Sequence, residues 1–142
     1  MAALAADRIT PSRKTGRSFL GKLAAATKIY MGSLVAKNAA GNVVPASDTA
    51  ALKVIGVALE TVDNTTGAAG DKSVQLLTGV FKFGNAGGAI VLASTHALAY
   101  VADDNSVTTA AVAVNDVIAG LVDAIDSDGV WLSVGPEYGA LA

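Results

Sequence analysis

The sequence predicts an all-β fold, a small β-barrel or sandwich with an extended N-terminal arm and at most one short helix. Two observations point there. Short runs rich in Val, Ile, Leu and Ala recur between turn-forming clusters of Gly, Asn and Asp, the spacing expected of many short strands. Fifteen glycines and an apolar content of 52%, drawn mostly from Ala and Val with only 5% aromatics, suit thin, closely packed strands. A third argument favours closure, because an open sheet would leave an unpaired edge that invites aggregation.

The strands are placed in order. Residues 1–22 are expected to form a basic arm, with Pro11, Gly16 and Gly21 breaking any long helix. The β body then runs from 23 to 142. Ile29 to Lys37 reads as a strand, Asn38 to Asn42 as a turn, and Val43-Val44 as the returning strand ended by Pro45. Ser47, Asp48 and Thr49 are placed to cap a helical turn. Ala51 to Val62 reads as one long strand with a bulge at Gly56, and Asp63 to Asp71 as a loop. In Ser73 to Phe83, Val74 and Leu76 share a face, whereas after Gly79 the large residues are Phe81 and Phe83. Ala89 to Ala93, Ala97 to Ala102 and Val107 to Thr109 are further strands, and Val112 to Ile118 is the place for a short helix. Ala119 to Ala124 and Val130 to Val134 flank Asp126-Ser-Asp-Gly129, a hairpin signal in which Asp-Gly would supply positive backbone angles.

Length allows one domain burying roughly 68% of its unfolded surface. The net charge of −2 gives no global attraction to nucleic acid, and the absence of cysteine excludes disulfides and thiolate metal sites. The N-terminus lacks the apolar stretch of a secretory signal, with Asp7 and Arg8 interrupting it. Mean hydropathy is +0.50, yet the most apolar window, Ala89 to Ala102, is too short to span a bilayer as a helix. No membrane partner is expected.

Charge is sorted along the chain. Arg8, Arg13, Lys14, Arg17, Lys22 and Lys28 fall in the first 28 residues against Asp7 alone. From Phe83 onward there is no Lys or Arg, against seven acids. A basic arm joined to an acidic body suits electrostatic docking on protein. Base-stacking aromatics do not interleave with these charges, so protein is preferred to nucleic acid. Ordering about twenty residues costs roughly 20–40 kcal/mol. Offsetting that needs over roughly 800 Å2 of apolar contact. The arm's side chains cannot supply this alone, so the arm is expected to order on a neighbour. Arg8, Arg13, Lys14, Arg17 and Lys22 are the expected contact residues.

Catalytic chemistry finds no constellation. His96 is the single histidine and has no Cys or second His as a co-ligand. With Gly129 at the sixth place of a calcium loop, the first and twelfth places hold Ala124 and Gly135, so the pattern fails. The glycine clusters at 67–70 and 84–88 lack dinucleotide or P-loop spacing, and no Gly-x-Ser-x-Gly elbow is present. Adjacent Asp103 and Asp104 would point apart on a strand. No enzyme, cofactor or metal site is expected.

The order of motifs carries a resemblance. Gly32-Ser-Leu-Val35 is followed by Gly41-Asn-Val-Val-Pro45-Ala-Ser-Asp48 and Val54-Ile-Gly-Val-Ala58. Then come Glu60-Thr-Val-Asp-Asn-Thr65, Gly67-Ala-Ala-Gly70-Asp71, Gly79-Val-Phe81-Lys-Phe83, Val101-Ala-Asp-Asp104 and Asp126-Ser-Asp-Gly-Val-Trp131. Over about residues 29–134 this resembles the small capsid decoration (cement) proteins of tailed bacteriophages. The resemblance implies a β-barrel on the outer surface of the virion capsid. It would be made in the host cytoplasm, bind the major capsid protein as a homotrimer and stabilise the shell by bridging capsomers. The competing expectation is a carbohydrate- or host-surface-binding β module; such sites usually show exposed aromatics, and here there are only Trp131 and three Tyr (Tyr30, Tyr100, Tyr138), spread along the chain, and a small hydrolase ranks third.

Overall fold

The computed structural model describes residues 18–141, and the all-β expectation holds. The described residues form twelve strands: β1 (Ser18–Lys22), β2 (Thr27–Ile29), β3 (Leu34–Lys37), β4 (Val43–Pro45), β5 (Lys53–Ala58), β6 (Val62–Asn64), β7 (Ser73–Leu77), β8 (Gly79–Asn85), β9 (Leu98–Val101), β10 (Ser106–Thr108), β11 (Ile118–Asp126) and β12 (Gly129–Val134). One short α-helix, α1 (Pro136–Gly139), follows β12.

The strands build two lobes. The first is a five-stranded sheet in the order β1-β7-β5-β3-β4, with β2 and β6 as a separate ribbon. A parallel bridge between Leu23 and Val43 curls this sheet until its two edges meet. The second lobe is a closed barrel in the order β10-β8-β12-β11-β9, in which β10 pairs parallel to β8 and antiparallel to β9. Closure removes the exposed edges that made an open sheet implausible.

Side-chain alternation explains how the lobes join. In β3, Leu34 and Ala36 enter the core shared with the barrel, while Val35 enters a second core against β2, β6 and β7. β5 also serves both cores. Val54 and Val57 face the first, and Ile55 and Ala58 the second, a spacing of three where a regular strand gives two. A bulge absorbs the extra residue: Val35 lies opposite Gly56 and Ala36 opposite Val54. The sheet is therefore a middle layer buried on both faces, and the barrel interior (Phe83, Val122, Val130 and Leu132) packs directly on it.

Several boundaries differ from the sequence reading. Ser18–Lys22, expected in the arm, is β1, fully paired with β7 from Ser18 opposite Leu77 to Lys22 opposite Ser73. The expected strand 29–37 is two strands separated by a turn at Gly32 (φ 88°). The expected strand 51–62 contributes β5 to the sheet and β6 to the ribbon. The expected strand 73–83 divides at Gly79 (φ 150°), where the chain leaves one lobe for the other. Residues 89–93 form no strand; a 3-10 turn covers Leu92–Ser94. Residues 112–118 form no helix but a loop that leads into β11.

Candidate docking surface

The residues with chemical capacity are scattered. His96 lies at φ 66° in the turn before β9, and its backbone N–H donates to the Val122 carbonyl at 2.7 Å. Asp103 accepts the Asn105 N–H at 2.9 Å, and the Asp104 carbonyl accepts the Leu34 N–H at 2.8 Å; both residues serve the turn that joins the lobes. Among the described residues, no group of three or more His, Cys, Asp or Glu side chains is placed to hold a metal ion. Nor is any described helix long and apolar enough to cross a membrane.

Two polar assemblies shape the surface. The first stands at the tip of the β11–β12 hairpin. Register places Lys82 on β8 beside Trp131 on β12. The Lys82 Nζ lies 2.6 Å from Asp128 and 3.1 Å from Asp126, and 5.6 Å from the centroid of the Trp131 ring. The indole N–H donates to Asp126 at 2.8 Å. The hydrogen bonds that Lys82 donates to Asp128 and then Asp126 raise its pKa above the usual value. The bonds from Trp131 and then Lys82 hold Asp126 below the usual carboxylate range. The hairpin tip is thus one fixed unit of ring, cation and two carboxylates.

The second assembly is a clamp. Asp48, in the β4–β5 connection, accepts the N–H groups of Val114 and Asn115 at 2.8 Å each, one on each carboxylate oxygen. Asn115 returns a side-chain N–H to the Asp48 carbonyl at 2.7 Å. The backbone bonds to Val114 and Asn115 lower the Asp48 pKa. A carboxylate of the first lobe therefore stitches down a loop of the second. That loop is the segment where a helix was expected: Asp48 bonds its N–H groups in place of a helical ladder.

Charge divides with the lobes. Residues 18–78 carry Lys22, Lys28, Lys37, Lys53 and Lys72 against Asp48, Glu60, Asp63 and Asp71, a net +1. Residues 79–134 carry Lys82 against Asp103, Asp104, Asp116, Asp123, Asp126 and Asp128, a net −5. The linear gradient of the sequence becomes a gradient in space.

Of the expected docking residues, Arg8, Arg13, Lys14 and Arg17 lie outside the described residues. Lys22 ends β1 with its side chain exposed, and its carbonyl accepts the Asn42 amide at 3.4 Å. Sequence reasoning gave Asp48 only a local capping role, where it bonds a distant loop instead, and did not single out Lys82. Lys82 carried a signal, being the last base before the acidic stretch and one residue from both Phe81 and Phe83. Nothing local to Asp48 signalled the clamp, because its partners lie 66 and 67 residues away. Exposed apolar side chains are concentrated at loop tips, with Leu92 and Val114 each 83% exposed. Comparison with known protein families, curated proteins and solved structures gave no match to this chain.

Proposed function

We propose that the protein is a structural virion component that binds the outer surface of an icosahedral phage head and stabilises it by bridging neighbouring capsomers. The observation that carries this reading is the division of charge between two lobes that share one hydrophobic core. A body of this kind holds a near-neutral lobe and a strongly acidic lobe at a fixed separation. With β3 and β5 buried on both sides, pulling on one lobe loads the other directly. The order of sequence motifs supports the capsid setting.

In this mechanism the partners are the major capsid protein and further copies of the chain, most simply as a homotrimer. Each contact is modest, and a trimer engages its sites together and gains from effective concentration. Arg8, Arg13, Lys14, Arg17 and Lys22 extend the contact to acidic protein beyond the subunit. The alternative carbohydrate-binding module has Trp131 in its favour, a ring 38% exposed beside two carboxylates. Lys82 already occupies the space over that ring, which leaves less of it for a sugar to stack on.

The test is co-sedimentation of the purified full chain with phage heads that lack it, followed by heating of the particles. Saturable binding that raises the temperature at which heads release DNA is the expected result. Failure to bind any such head, with saturable binding on a glycan array instead, would overturn the capsid reading in favour of the alternative.

A further inference from the structure

The hairpin between β3 and β4 and the entrance to β5 enclose an open pocket of about 250 Å3, lined by Lys37, Asn38, Ala39, Gly41, Ala51 and Lys53. Lys37 and Lys53 are direct cross-strand partners. Directly opposed residues on one face of a ladder stand about 4.5–5.5 Å apart at Cβ, and like charges there are destabilising. Among the described residues, the pair has no ion-pair relief. Lys82 has two carboxylates, and Lys28 and Lys72 both lie in the field of Asp63. Among the described residues, no acid stands within ion-pair distance of Lys37 or Lys53. Lys53 is anchored by one hydrogen bond of 3.3 Å to the Gly139 carbonyl, and two of its three donors have no such partner.

The rest of the lining narrows the chemistry. The Asn38 side-chain oxygen accepts the N–H groups of Ala40 and Asn42 at 3.0 and 3.1 Å, and the Asn38 carbonyl accepts that of Gly41 at 3.0 Å. The turn has therefore spent these donors on itself and offers no nest of free amides for a phosphate. What remains is two ammonium groups between small apolar walls, Ala39 and Ala51. We propose that the Lys37–Lys53 pocket binds the carboxylate of an aspartate or glutamate side chain presented by an acidic segment of a partner protein. The two cations hold the charge and the alanines accept its methylene stem. This holds whether or not the partner is a capsid.

A short glutamate-rich peptide titrated into the isotopically labelled full chain tests it, with inorganic phosphate as the comparison probe. The peptide is expected to shift the amides of Lys37, Asn38, Ala51 and Lys53 saturably. Lys37→Ala and Lys37→Gln are expected to weaken that response at least about tenfold, the usual scale for a hydrogen bond to a charged group. Both variants are also expected to melt no lower than the parent at low salt, since each removes a like-charge contact. Lys28→Ala, on β2 and outside the pocket, leaves the response unchanged. Shifts that fail to saturate, that map elsewhere, or that survive Lys37→Ala would overturn the site. A response to phosphate equal to or stronger than the peptide's would overturn the carboxylate assignment.

Discussion

At the scale of single residues, two side chains decide more than their surroundings suggest. Asp48 holds the 109–117 loop through both carboxylate oxygens. Asp48→Ala is expected to cost about 1 kcal/mol at neutral pH, the size of a partly solvated charged hydrogen-bond set. Because the folded pKa is depressed below 3.8, this stabilisation is present above that value and lost as pH falls through the lower folded value. Thermal melts of parent and variant should therefore differ at pH 7 and draw together below about pH 4. Gly129 acts by absence. It is not in the left-handed region, contrary to the expected role of Asp-Gly in the turn; a Cβ there would meet the Phe83 carbonyl oxygen at 2.7 Å. Gly129→Ala must push β12 off β8 and should cost about 1–3 kcal/mol in urea unfolding, as overpacking does.

At the scale of elements, β1 redraws the boundary between arm and body. Phe19 packs on the second core, and Gly21 lets Val43 and Leu76 close over the strand. Deleting residues 1–17 is expected to leave the melting temperature within a few degrees of the parent. Deleting residues 1–22 uncovers Val74 and Leu76 and should lower it by more than about 5 °C, since roughly 1 kcal/mol shifts a small domain by about 4–8 °C. Equal melting of the two truncations would mean that β1 adds nothing to the sheet. The division of 73–83 was partly visible beforehand. Inward residues are Val74 and Leu76, then Phe81 and Phe83, and that change of parity at Gly79 marks the passage between lobes. The divisions at Gly32 and after Ala58 left weaker traces, because a run of β-branched residues looks the same whether it stays in one sheet or crosses to the next.

At the scale of the molecule, the shared core makes the two lobes one mechanical unit, and the division of charge gives that unit a direction. Surface charge acts on association over about a Debye length, near 10 Å at 0.1 M salt, and contributes little to folding. Raising salt from about 0.05 to 0.5 M should weaken particle binding several-fold while moving the urea midpoint of folding little. Sedimentation and urea titration at the two salt concentrations separate these effects. A folding midpoint that fell in step with binding would place the charges in stability and not in docking. Acid and base limits follow the shifted groups. The contributions of Asp48, Asp63 and Asp126 fade below about pH 4, and that of Lys82 is lost only as pH rises through a value above the usual lysine range.

The sequence by itself determined the fold class, the inward faces of β7 and β8, the hairpin at 126–129, and the charge gradient. Each is local or additive: alternation needs only neighbours two apart, and charge needs only counting. Tertiary structure alone decided that β1 belongs to the body, that Asp48 clamps a loop where a helix was expected, and that Lys37 faces Lys53. Those outcomes depend on register between segments far apart in the chain, and a slip of one residue in any ladder would turn the same side chains to the opposite face.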